Sequence, residues 1–216
     1  MILRLVRTAM TAILALTLIS LSPVARAQQS APEAATAVIE KLGVAMIDTM
    51  RDAKQLGYQG RFTKLAPSII EAFDLPKMVS VAVGGSWKSM SADQHQRLVD
   101  AFARYFVAVH AARLDGFSGE TFKVVSSAEL PNKSGYMIKA QFVRTNGNTE
   151  NIDYVLQENG EKRWQVVDLF YRSSISEIAT RRSEYTAVIK NSGIERLIAA
   201  MDEKTAELGH GKTATN

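Results

Sequence analysis

The spacing of apolar residues changes twice along this chain, and this change limits the possible folds more than any other feature of the sequence. Before Gly116, apolar residues recur every three or four positions, which predicts amphipathic helices. From Phe122 to Tyr171 they alternate with polar residues, which predicts strands with one buried face. After Ser174 the helical spacing returns. This order predicts an α+β domain in which helices cover one face of a sheet.

Two Asn-Gly pairs divide the alternating region into hairpins. Asn146-Gly147 and Asn159-Gly160 each lie between two alternating runs, and Asn-Gly is the strongest short-range signal of a hairpin. The first run begins at Phe122. The last run, Trp164 to Tyr171, has apolar residues at both odd and even positions. The sequence therefore predicts a four-stranded antiparallel meander.

Four pairs of capping residues mark the predicted helix starts. A Ser followed three residues later by Glu or Gln can satisfy two of the free N–H groups at a helix start. Glycines mark the predicted helix ends and breaks. The pairs are Ser30 with Glu33, Ser91 with Gln94, Ser174 with Glu177 and Ser192 with Glu195; the breaks are at Gly57, Gly60, Gly84-Gly85 and Gly193.

The first 27 residues have the layout of a secretory signal peptide. A basic start precedes an apolar run from Ala9 to Leu21, and Pro23 stands before the small-residue site Ala25-Arg26-Ala27. We expect cleavage before Gln28 and release of the mature protein into the periplasm. The apolar run is short for a membrane span.

Composition narrows the classes of partner. The chain has 26 Lys plus Arg and 22 Asp plus Glu; Arg4, Arg7 and Arg26 leave with the leader, so the mature chain balances 23 bases against 22 acids. This near-neutral charge does not support nucleic-acid binding. There is no cysteine, so the fold has to depend on its apolar core. We expect one domain over residues 28–209 and a polar tail over 210–216.

The residue types needed for catalysis or metal binding are sparse. His95 and His110 share a predicted helix but lie about 22 Å apart at 1.5 Å per residue, and His210 is in the tail. The sequence therefore predicts no metal, no cofactor and no catalytic set. Asp153 should be a solvated charge on the polar sheet face. Asp168, with apolar neighbours, is either a general base or a structural carboxylate bonded to a nearby helix start.

A stripe of apolar residues on the long central helix is the remaining candidate site. It can face the apolar side of the sheet, where it would form either a plain core or the wall of a pocket, because both have the same sequence signature. The stripe contains Phe102, Tyr105, Phe106 and Val109, and the facing strand residues are Ile138, Ala140, Phe142, Tyr154 and Leu156.

Six short motifs follow one another along nearly the whole mature chain. They are Phe73-Asp74-Leu75-Pro76, Gly84-Gly85-Ser86-Trp87, Ser91-Ala92-Asp93-Gln94, Phe102-Ala103-Arg104-Tyr105, Trp164-Gln165-Val166-Val167-Asp168 and Ile194-Glu195-Arg196-Leu197-Ile198. In these motifs and their order, the chain resembles the MlaC family of periplasmic lipid-binding proteins, also called the toluene-tolerance family. Two further segments, Arg113 to Gly119 and Ile175 to Glu184, are similar to the branch encoded with hopanoid-biosynthesis genes.

The resemblance implies a helical layer packed on one face of a curved four-stranded antiparallel sheet, enclosing an apolar cavity for lipid tails. It also implies a shuttle that carries a phospholipid or hopanoid-type lipid between inner- and outer-membrane transport complexes, without catalysis. The implied lipid-binding residues are Phe102, Phe106, Val109, Ile138, Ala140, Phe142, Tyr154, Leu156 and Val167.

Two other interpretations stay open at this point. One is a periplasmic enzyme of the curved-sheet type that acts on a terpenoid lipid with Asp168 as base, and the other is an adaptor without a ligand. Arg172, Arg181 and Arg182 lie near the start of the helix that follows the sheet. They are either a solvated surface or a contact for an acidic partner or anionic head groups.

Overall fold

The computed structural model describes residues 30–172 and 174–211. The predicted leader 1–27, the cleavage site before Gln28 and residues 212–216 of the predicted tail lie outside these residues. Within the described ranges, no helix is both long enough and apolar enough to cross a membrane.

Four α-helices precede the sheet. They are α1 (Ala31–Arg51), α2 (Ala53–Ala72), α3 (Leu75–Val83) and α4 (Ala92–Arg113), with a 3-10 turn at Gly84–Ser89 between the last two. The boundary between α1 and α2 differs from the prediction. The first helix ends at Arg51, with Asp52 as its C-cap, rather than at Leu56. Gly57, with φ of 59°, kinks α2 instead of ending a helix.

The predicted capping pairs explain where two of these helices begin. At α4 the Ser91 hydroxyl accepts from the N–H of Gln94 at 3.2 Å, and the Gln94 side chain accepts from the N–H of Ser91 at 3.0 Å. At α1 the N–H of Ser30 donates to the Glu33 carboxylate at 3.1 Å. These bonds satisfy backbone donors that a helix start otherwise leaves unpaired.

The sheet has five antiparallel strands in sequence order, so the prediction of four strands is wrong. They are β1 (Thr121–Glu129), β2 (Tyr136–Val143), β3 (Thr149–Glu158), β4 (Trp164–Tyr171) and β5 (Ile175–Ser176). With only two residues, β5 is too short to show a period in the sequence.

The last helix, α5 (Glu177–Gly209), begins directly after β5. Its N-cap is Ser176, whose hydroxyl accepts from the N–H of Ala179 at 2.9 Å, so the predicted cap at Ser174 is wrong. The backbone leaves helical geometry at Gly193, where φ is 81°. This is the break that the sequence predicted.

A β-bulge in β4 changes which residues share the apolar face. Val166 pairs with Leu156 and Asp168 pairs with Val155, so Val167 is an extra residue between two paired positions. An extra residue shifts the alternation by one. The core face of β4 therefore carries Val166 and Leu169, both buried, while Val167 is half-buried and lies outside the main apolar cluster.

The helices that contact the sheet are mainly α1, the junction of α2 with α3, and α5, which packs against β4 and β5. α1 packs across β1, β2 and β4. At the junction, Phe73 forms a bridge to Val166, and the N–H of Asp74 donates to the Val166 carbonyl at 2.9 Å. α4 packs against α2, α3 and α5, one layer further from the sheet. In the middle of the α4 stripe, Phe73 lies between Phe106 and Tyr154 of β3, because its ring contacts both.

Candidate functional site

The nine candidate residues separate into four groups in the structure. Five are buried in the main core, namely Phe102, Phe106, Ile138, Ala140 and Leu156. Phe142 and Tyr154 lie in the wall of a pocket. Val109 belongs to a separate small cluster with Ala108 and Leu208, and Val167 is the bulge residue of β4.

Phe106 illustrates why the α4 stripe forms core. Its ring is 4.9 Å from that of Phe73, 5.6 Å from that of Phe102 and 4.5 Å from that of His110. Phe73 in turn lies 6.5 Å from the ring of Tyr154 on the sheet. The residue from the α2–α3 junction thus stands between the helix stripe and the strands.

The pocket lies between the C-terminal ends of α1 and α4 and the core face of β2, β3 and β4. Its volume is about 350 Å³. Its interior is apolar and aromatic, whereas polar groups line its edge. The apolar lining is Met46, Met50, Leu114, Phe142, Ile152, Tyr154, Leu169 and Tyr171, and the polar edge is Arg113, Arg144, Glu150, Asn151 and Arg172. His110 also lines the pocket, but its ring lies in the interior.

Most of these lining residues were not predicted. Met46 and Met50 belong to α1, for which the sequence predicts a helix but no part in a site. Arg113 follows the α4 stripe, and Arg144 lies next to a predicted hairpin turn. No periodic signal connects these positions, since they come together only when α1, α4 and two strand ends meet.

His110 places an imidazole in this pocket without a charge at neutral pH. Its Nδ1–H donates to the Phe106 carbonyl at 2.8 Å, and its ring packs against those of Phe73 and Phe106. Burial lowers the pKa of His110 to about 4, and the positive charge of Arg113 acts in the same direction. Burial likewise raises the pKa values of Tyr154 and Tyr171. The pocket interior is therefore uncharged near neutral pH.

Acid should destabilise the lipid-free protein through His110. Between pH 6.5 and about 4 the unfolded chain binds a proton at this ring and the folded protein does not. The free energy of unfolding is therefore not reduced by this ring above pH 6.5. It decreases as the pH drops toward 4, by about 3 kcal/mol at most. In urea titrations, His110→Gln should reduce the slope of unfolding free energy against pH in this window. An unchanged slope would contradict the assignment.

Three arginines from different elements stand at the edge of the pocket. Arg113 donates to the Tyr171 hydroxyl at 2.9 Å and lies 5.4 Å from the centre of that ring. Arg144 donates to Glu150 at 2.9 Å and lies 5.8 Å from the ring of Phe142. Arg172 follows β4. The edge of the pocket thus carries three guanidinium groups and one carboxylate.

The other two arginines of the predicted basic cluster have different neighbours. Arg181 donates to Glu177 at 2.7 Å and to Glu184 at 3.0 Å, and it lies 5.7 Å from the centre of the Tyr105 ring. Its side chain is 20% exposed. The Arg182 guanidinium approaches Gly84. Of the three predicted residues, Arg172 is the one that lines the pocket.

Asp168 is a structural carboxylate at the start of α5. Its Oδ1 accepts from the N–H groups of Leu169 at 2.7 Å and Ile178 at 3.2 Å. Its Oδ2 accepts from the Ser176 hydroxyl at 2.7 Å, and that hydroxyl caps α5. The bond to Ile178 is the structural alternative that the sequence left open.

The prediction that Asp153 is a solvated charge is wrong. It lies on the sheet face opposite the helices, paired in register with Lys139 and Phe170, and it is only 5% exposed rather than solvated. The pocket lining contains neither Asp153 nor Asp168. Within residues 30–172 and 174–211, no three His, Cys, Asp or Glu side chains form a group able to hold a metal ion.

Asp168→Asn should lower the free energy of unfolding by about 1–3 kcal/mol, because it disturbs partly buried hydrogen bonds that join β4, β5 and α5. We expect no change in the amount of lipid bound per folded protein. Chemical denaturation and quantification of extracted lipid check the two parts. A folded variant with altered lipid processing would instead support a catalytic role.

A second pocket of about 340 Å³ lies near the N-terminal half of α1. It is bounded by α1, α2 and the start of β4, where Arg163 and Trp164 contribute to its wall. Lys41 and Glu71 form an ion pair at 2.6 Å among its lining residues. Arg163 is the one arginine in this lining, and it forms an ion pair with Glu161 at 2.8 Å, whereas three arginines line the first pocket.

Comparison with known proteins identifies a family and a sequence relative. The family model described as MlaC protein matches residues 40–203. The intermembrane phospholipid transport system binding protein MlaC of Haemophilus influenzae is 22% identical over 130 residues. That alignment covers 59% of this chain and 60% of the relative, so the chain matches less than two thirds of that protein.

A solved structure shares the fold. The phospholipid-binding protein of Ralstonia solanacearum, determined in complex with a phospholipid, superposes with a TM-score of 0.70 at 20% identity. The superposition covers 81% of this chain and 98% of the other. Because the family model matches about three quarters of the sequence, the chain belongs to the MlaC family.

Proposed function

We propose that this protein is a periplasmic carrier that moves a phospholipid or hopanoid-type lipid between transport components of the inner and outer membranes, without covalent chemistry. Residues 28–209 would form the lipid-binding unit after removal of the leader. The observation that supports this most directly is the pocket itself. It combines an apolar and aromatic interior with a basic edge, which suits a molecule with an apolar tail and a polar head.

The physical need for such a pocket is large. Exposing a 16-carbon tail to water costs on the order of 12 kcal/mol, at about 0.8 kcal/mol per methylene. A carrier has to replace that water with apolar side chains and leave the head group hydrated. The neutral state of His110 and the raised pKa values of Tyr154 and Tyr171 keep charge away from the tail.

Among the nine predicted residues, we assign direct tail contact to Phe142 and Tyr154, which line the pocket. Phe106, Ile138 and Leu156 support the site from the core behind it. Met46 and Met50 add flexible thioether side chains from α1. Such side chains adapt their shape to a partner better than branched ones do.

The enzyme alternative has weaker support. A general base has to reach its substrate, and Asp168 is occupied by three donors and does not line the pocket. The adaptor alternative predicts a protein that never holds a lipid.

Native mass spectrometry of protein purified from its own periplasm tests the proposal. We expect a mass increment that matches one or more lipids and disappears after extraction with organic solvent. The extracted lipid, identified by fragmentation, separates a phospholipid from a hopanoid. Protein recovered without lipid, and unable to take up lipid from vesicles, would support the adaptor instead.

A further inference from the structure

We propose that the pocket edge selects lipids whose head group carries a net negative charge, through Arg113, Arg144 and Arg172. This inference rests on the proposed function and names the class of cargo for the same pocket. It is carried by the presence of three arginines, from three separate parts of the chain, in the lining of one largely apolar pocket.

Two of the arginines are held in place by the pocket wall. Arg113 is bonded to the hydroxyl of Tyr171 and lies over its ring, and Arg144 lies beside Phe142. Both aromatic rings line the pocket interior. The arginines at the edge therefore contact the same rings that form the apolar lining of the pocket. A lipid tail bound against this lining would bring its head group next to these arginines.

Arg172 is the third cation. Its backbone is in the left-handed region, with φ of 52°, and its N–H donates to the Asn151 carbonyl at 2.9 Å. This bond attaches the turn after β4 to β3, at a residue that also lines the pocket. Within the described part of the chain, the exposed Arg172 side chain makes no hydrogen bond or ion pair, so its donors are available to a ligand.

The balance of charge determines which head group fits. Glu150 neutralises Arg144 in part, at 2.9 Å, which leaves a surplus of positive charge at the edge. An unbalanced phosphate or carboxylate accepts charge-assisted bonds from guanidinium groups. A zwitterionic head brings its own cation, which competes for the phosphate, and a neutral terpenoid alcohol offers no charge. The expected order of affinity is anionic, then zwitterionic, then neutral.

The test compares two lipids that differ only in the head group. Delipidated protein is titrated with phosphatidylglycerol and with phosphatidylcholine of identical acyl chains, and complexes are quantified by native mass spectrometry. We expect at least tenfold tighter binding of phosphatidylglycerol than of phosphatidylcholine at low salt. The ratio of the two affinities should be smaller at high salt. The double variant Arg144→Gln with Arg172→Gln should bring the ratio below about threefold.

Three comparisons make the result specific. Arg172→Gly suits the left-handed backbone and removes the cation, so it should fold and also lower the ratio. Arg163→Gln removes a cation at the second pocket and should leave the ratio unchanged. Inorganic phosphate alone should bind far more weakly than phosphatidylglycerol, because it has no tail to bury.

The outcomes separate the two proposals. Equal binding of the two lipids by the parent, or a ratio that changes only with Arg163→Gln, would overturn the selection and leave the carrier function intact. Phosphate binding as tight as that of phosphatidylglycerol would also overturn it, since the site would then hold a free anion. If the parent binds neither lipid, the proposed function fails together with this inference.

Discussion

Replacing Phe106 with alanine should lower the free energy of unfolding by about 3–5 kcal/mol, the usual cost of emptying a phenylalanine site in a filled core. Phe106 is 5% exposed, and its ring contacts the rings of Phe73, Phe102 and His110. These neighbours come from two elements and have little freedom to fill the space. Urea unfolding of delipidated protein, followed by circular dichroism, measures the loss.

Phe142→Ala is the matched control, because it removes the same side chain from the pocket wall. Phe142 already faces empty volume on one side, so the lipid-free protein should lose less stability than with Phe106→Ala. Lipid affinity should respond in the opposite order, with the larger loss for Phe142→Ala. Equal losses of stability and of lipid affinity in the two variants would mean that Phe106 and Phe142 belong to one continuous site.

Replacing Met50 with tryptophan should block the pocket and lower lipid affinity at least tenfold. Met50 lines the pocket from the last turns of α1, where a larger side chain would occupy space needed by the tail. Excluding two methylenes from the pocket costs about 1.6 kcal/mol, which is more than a factor of ten in affinity. Lipid per protein, measured after extraction and by titration with vesicles, gives the change.

The control for this variant is Val44→Trp on the same helix. Val44 is 62% exposed and does not line the pocket, so the same side chain placed there should leave lipid affinity unchanged. Thermal unfolding of both variants shows whether Met50→Trp overpacks its surroundings, which would cost about 1–3 kcal/mol. A folded Met50→Trp protein with the lipid content of the parent would place the tail elsewhere.

Local features of the chain followed from the sequence by itself. The change of hydrophobic period identified the helices and the antiparallel meander, because a helix and a strand present their faces at different spacings. The pairs Ser91 with Gln94 and Asn146 with Gly147 marked a helix start and a hairpin for the same reason: each depends on neighbours a few residues away. For Asp168 the local residue types left two roles open, and the bond to the N–H of Ile178 is seen only in the structure.

Tertiary structure decided the features that depend on distant residues. Periodicity shows which residues share a face but not what lies opposite them, so Phe73 between α4 and the sheet had no signal. The bulge at Val167 moved Leu169 onto the core face by inserting one residue. The pocket forms only because the ends of α1, α4 and β4 meet in the fold, which brings Met50, Arg113 and Arg172 together. Core and pocket bury the same side chains, and only the packed structure shows where neighbouring atoms leave room for a ligand.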